Sequence, residues 1–87
     1  NIDCGFTSGA RFVLIKDTAG GNWYVYDTAR GIVAGNDPAL ELNTTSAEDN
    51  QYDSIDPYSA GFTLTAYGGS SPALNEPSET YIFYAIA

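Results

Sequence analysis

The sequence has 87 residues, room for one small domain with a modest buried core. Its single cysteine, Cys4, has no partner for a disulfide, and the absence of histidine excludes a Cys/His zinc site. Eleven acidic residues against three basic ones leave a formal charge of −8, which disfavours nucleic acid and anionic membrane surfaces as partners; no apolar run approaches the ~20 residues of a membrane-spanning helix.

The opening "NIDCGF" lacks both a starting methionine and the basic-then-apolar plan of a signal peptide, and "TYIFYAIA" runs as a strand to the final residue. Residues 1–87 are therefore expected to be a single domain cut from a longer polypeptide. "RFVLIKD" (11–17) is rich in β-branched and aromatic residues and reads as a strand. Its centre, Phe12 to Ile15, is apolar on both faces, which predicts cover from two sides. Gly20-Gly21-Asn22 supplies the positive-φ residues of a turn. "WYVYDT" (23–28) then returns as a second strand, so 11–28 reads as a β-hairpin. Alternation places Tyr24 and Tyr26 on one face of it and Trp23 and Val25 on the other.

"ARGIVAGNDP" reads as a loop, and "ALELN" (39–43) as a short strand or, alternatively, a short helix. The polar, acidic stretch after it is a long loop with a brief strand near Ser54-Ile55. "GFTLTAY" (61–67) alternates cleanly, with Phe62 and Leu64 on one face and Thr63 and Thr65 on the other. "GGSSPALNEPSE" is a second loop before the closing strand. No segment has convincing helical periodicity. The expected fold is all-β, a small antiparallel β-sandwich-like domain of short strands.

Chemistry is sparse. Asp49, Asp53 and Asp56, with Asp37 in another loop, are hard oxygen donors of the kind calcium takes, but their spacing does not match an EF-hand loop, and no metal or cofactor is expected. A serine or cysteine nucleophile would lack a histidine base. Asp27, Asp37, Glu41 and Asp56 are candidates for a glycosidase carboxylate pair, yet nothing sets two of them at the required separation. Cys4 reads as a small hydrophobe, and Arg30 as the ion-pair partner of Asp27. Asn43 opens an "NTT" glycosylation sequon. The aromatic residues allow two readings: Trp23, Tyr58 and Tyr67 as stacking platforms for a sugar, or the rings as filling for a core or subunit interface.

Taken in order, "GFTSGARFVLIKDTAGGNWYVYDTARG", "LNTTSAED", "GFTLTA" and "ETYIFYAIA" resemble a domain that recurs in large structural proteins of tailed bacteriophages. The series covers nearly the whole chain. The strand that precedes Gly-Phe in that family is missing, and "NEPSE" replaces its glycine-rich turn. The resemblance implies a non-enzymatic structural module of the virion, in a tail fibre or other surface appendage, multimeric with other virion proteins and engaged in assembly and host attachment. A head-decoration or capsid-fibre protein is the alternative within the particle. A carbohydrate-binding module for host glycans, or a polysaccharide depolymerase using Asp27 or Asp56, are the alternatives outside that class. Phe12, Leu14, Ile82 and Tyr84 are expected to be buried only in a multimer or larger polypeptide.

Overall fold

A computed structural model describes residues 1–65, 74–75 and 78–87. Among them the regular elements are all strands: β1 (Ile2–Asp3), β2 (Phe12–Asp17), β3 (Tyr24–Asp27), β4 (Leu40–Glu41), β5 (Ile55–Tyr58), β6 (Gly61–Leu64) and β7 (Tyr81–Ile86). They form two antiparallel sheets, one ordered β1-β6-β5 and the other β4-β3-β2-β7. "ALELN" is a strand, not a helix: β4 pairs with β3 through Tyr24↔Glu41 and Val25↔Leu40.

The hairpin forms as expected, with Val13 opposite Tyr26 and Ile15 opposite Tyr24. Its loop is wider than a tight turn, because Lys16 and Asp17 leave β3 and pair instead with Ile82 and Tyr81 of β7. Gly20 (φ 150°) and Gly21 (φ 82°) take backbone conformations that side chains disfavour, whereas Asn22 does not. The Asp17 carboxylate accepts the Ala19 N–H at 2.9 Å and starts the bend.

Pro57 lies inside β5, tolerated there because β5 is an edge strand and one of its sides needs no donor. Gly61 begins β6 at a point where a Cβ would sit 2.0 Å from the carbonyl oxygen of Ile2. Only glycine allows β1 to approach this closely. Strand β1 itself precedes Gly5-Phe6 and pairs with β6 through Ile2↔Phe62.

The core lies between the sheets. Val13, Ile15 and Tyr26 enter it from the larger sheet, Ile55 and Phe62 from the smaller one, and Ala10, Ile32, Ala39 and Leu74 from the connections. Cys4 is half-buried against this cluster, a packing residue as expected. Tyr24 and Tyr26 share the inner face as their alternation requires. The sequence predicts two-sided cover of β2; among the described residues Val13 and Ile15 are buried, while Phe12 and Leu14 are half-buried.

Candidate functional site

Two places stand apart from ordinary packing. The first is built around Asp37, which is 1% exposed. Its carboxylate accepts three backbone N–H groups: Val33 at 2.9 Å, Ser54 at 3.3 Å and Ile55 at 3.2 Å. One side chain thus fastens the loop after β3 to the start of β5. Burial raises the Asp37 pKa, and the three donors oppose that rise.

Asp53 and Asp56 reach the same place, so that one carboxylate oxygen from each of the three aspartates lies within 4.8 Å of the others. Asp53 accepts the Thr65 hydroxyl at 3.2 Å. Asp56 Oδ1 is buried with no hydrogen-bond partner, and desolvation, followed by the charge of Asp53, raises the Asp56 pKa. Among the described residues no ion pair reaches the three. The charge of Asp53 adds to the rise of both Asp37 and Asp56, the expected response of carboxylates placed together without a countercharge. Three hard oxygens also match part of a calcium shell, which needs six to eight. Asp49 is not a member: its backbone bridges to Ala39, and its side chain accepts the Gln51 N–H at 3.0 Å.

Beside Asp37 is a cavity of about 20 Å³ lined by Tyr24, Glu41, Asp49, Tyr52 and Ser54. The buried hydroxyls of Tyr26 and Ser54 face each other nearby without reaching hydrogen-bonding geometry. Burial pushes the Tyr26 phenol well above its ordinary pKa.

The second place is the outer face of the four-stranded sheet. Register puts Leu14 beside Val25 on one side and Tyr84 on the other, Lys16 beside Ile82, and Phe12 beside Ile86. Ile82 is 49% exposed, Tyr84 62% and Ile86 42%. Leu14, Trp23, Ile82, Phe83 and Tyr84 line a shallow depression of about 160 Å³ on this face. The Lys16 ammonium stands 5.9 Å from the centre of the Trp23 ring, a cation–π contact that covers part of the ring.

The structure separates the three aromatic residues expected to bind a ligand. Trp23 is half-buried and belongs to this outer face. Tyr58 is half-buried in β5 of the other sheet, and Tyr67 lies outside the described residues. The candidate acids also part company. Asp27 holds Arg30 in an ion pair and accepts its backbone N–H at 2.7 Å, and Glu41 accepts the Thr44 hydroxyl at 2.9 Å. Of that set, Asp56 joins Asp37 in the carboxylate group, and Glu41 lines the small cavity beside Asp37. Arg30 also reaches Glu48 at 3.4 Å, so the Asp-x-x-Arg-Gly motif closes a turn, completed by the Gly31 N–H donating to the Asp27 carbonyl. Asn43 is a structural link: its side chain accepts the Trp23 N–H at 3.0 Å and donates to Asn22 at 3.1 Å.

One family model, described as "Domain of unknown function (DUF7483)", matches residues 1–87. The chain belongs to the DUF7483 family. Comparison with curated proteins and with solved structures returned no match. In this DUF7483 domain the Gly-Phe, Asp-x-x-Arg-Gly and Asn-Thr elements of the sequence all do local structural work. Gly61 admits β1, Asp27 and Arg30 close a turn, and Asn43 ties the loop after β4 to the hairpin.

Proposed function

We propose that this chain is a non-enzymatic structural module of a bacteriophage virion, in a tail fibre or other surface appendage, which works by docking other protein on its four-stranded sheet. The observation that carries the docking role is the outer face. Its apolar side chains stay exposed on a small domain whose stability benefits from further cover. The virion setting rests on the ordered series of sequence motifs. Immunogold labelling of purified phage particles tests it: labelled tails or appendages are expected, labelled heads would move the module to the capsid, and unlabelled particles would remove it from the virion.

A second reading, a carbohydrate-binding module, is favoured by the depression beside Trp23, where an indole and the Tyr84 phenol flank an apolar floor. Glycan-array binding that is present in the wild type and lost in Trp23→Ala supports that reading. An array without signal for the wild type rejects it.

A further inference from the structure

We infer that β7 is a docking edge for a second copy of this chain, the two β7 strands pairing antiparallel about a two-fold axis. The inference rests on reading this sheet as an assembly surface, and it names the partner and the backbone groups that meet. Sheet edges invite strand addition, and proteins blunt them with short strands, charges or proline. Three edges of this fold are blunted in that way: β1 and β4 have two residues each, and β5 carries Asp56 and Pro57. Among the described residues, strand β7 has none of these guards. It is six residues long, reads YIFYAI, and contains no charge, glycine or proline.

The pairing phase shows which groups are on offer. The Thr18 N–H donates to the Thr80 carbonyl at 2.9 Å. In an antiparallel ladder hydrogen-bonded pairs alternate, so Ile82, Tyr84 and Ile86 face β2 with their backbone groups. The N–H and C=O of Phe83 and Ala85 are therefore directed away from β2. In a two-fold pair centred on Tyr84, Phe83 of each copy exchanges hydrogen bonds with Ala85 of the other. Tyr84 then meets its own counterpart as a closely spaced pair, and Ile82 meets Ile86. The exposed side chains of the two outer faces join into one apolar stripe across an eight-stranded sheet.

Charge selects a second copy over an unrelated strand. Arg11 stands at one end of β7, its Nε donating to the Ala87 carbonyl at 2.7 Å. Glu79 is exposed just before the other end and lines one depression with Asp17 of β2. Antiparallel pairing brings the Glu79 end of each copy against the Arg11 end of the other. The Asp37, Asp53 and Asp56 group belongs to the loops and strand of the other sheet. The edge is thus self-complementary in hydrogen bonds, apolar surface and charge.

Sedimentation velocity on the full chain, from micromolar to millimolar concentration, tests this, with far-UV circular dichroism reporting whether each variant folds. The wild type is expected to show a concentration-dependent monomer–dimer equilibrium. Tyr84→Lys places like charges at the axis and Ala85→Pro removes an outward donor that an edge strand does not need internally. Each is expected to weaken the dimer about tenfold or more while the monomer stays folded. Arg11→Glu and Glu79→Arg should each weaken it, and the double exchange should restore it. A wild type that remains monomeric throughout, or a dimer indifferent to both Tyr84→Lys and Ala85→Pro, overturns the inference. Phage particles that label while the chain is monomeric would sink this inference alone. A dimer that responds to these variants, with unlabelled particles, would sink the virion reading alone.

Discussion

On the inner face of the four-stranded sheet, Val13, Ile15 and Tyr26 are sealed against the smaller sheet; on the outer face of the same strands, Leu14, Ile82 and Tyr84 meet solvent. The side chains are of one kind, so hydrophobicity does not separate the two faces. What separates them is the presence of a layer opposite. The inner face has Ile55 and Phe62 against it, with Phe62 packing edge-on to Phe83 at 5.2 Å between ring centres. Among the described residues no layer lies opposite Ile82 and Tyr84 on the outer face, and this is why they are candidates for docking instead of contributors to the core.

The largest expected effect breaks the inner side of that comparison. Ile15→Ala removes a fully buried branch and should cost about 2–5 kcal/mol in urea denaturation. Ile82→Ala on the outer face should stay within about 1 kcal/mol in dilute solution, because a half-exposed side chain forfeits little burial. Equal losses at the two positions would mean that the outer face is already covered.

Next in size is the fastening of the inner layer. Asp37→Ala strands three backbone N–H groups, two of them at buried positions, and is expected to cost about 1–3 kcal/mol. Hydrogen exchange should then quicken at Ser54 and Ile55 ahead of β2. Unchanged protection there would contradict the assigned clamp.

A smaller effect concerns pH. Asp37 and Asp56 have raised pKa values in the fold, so the folded chain holds their protons more tightly than the unfolded chain does. Their contribution is therefore full below the ordinary carboxylate value of 3.8 and is lost as pH rises through the raised values. Asp56→Asn should be more stable than the wild type at neutral pH and should flatten this dependence. If Asp56→Asn is instead less stable at neutral pH, the carboxylate is engaged by a cation, and a calcium titration of the wild type would show it as a rise in Tm.

The smallest change expected is for Tyr26→Phe. The hydroxyl is buried without a partner, so its removal should be close to neutral, within about 0.5 kcal/mol, and a clear loss would reveal a hydrogen bond that the geometry does not contain.

Legibility in the sequence followed the range of the interactions. The alternation of Tyr24 to Asp27 and of Gly61 to Leu64 was readable because a two-residue period is a local property. β5 was harder, since Pro57 argues against a strand unless the strand is known to lie at an edge. The carboxylate group was only half visible. Asp53 and Asp56 are neighbours in sequence, but Asp37 joins them through N–H groups of Ser54 and Ile55 that no local pattern announces. The apolar character of both faces of β2 was plain, and yet sequence alone has no means of saying which face the chain itself covers.

The position of β2 between β3 and β7 also has a kinetic side. It meets β3 across one loop but meets β7 only after most of the chain has intervened. A hairpin closes in about 1–10 μs, whereas the distant pairing must first overcome a longer loop closure, which slows folding. Until β7 arrives, the apolar edge of β2 stands open on the newly formed hairpin. An apolar edge left open for that interval is exposed to pairing with another extended chain, so slow arrival of the seventh strand favours misassembly over folding.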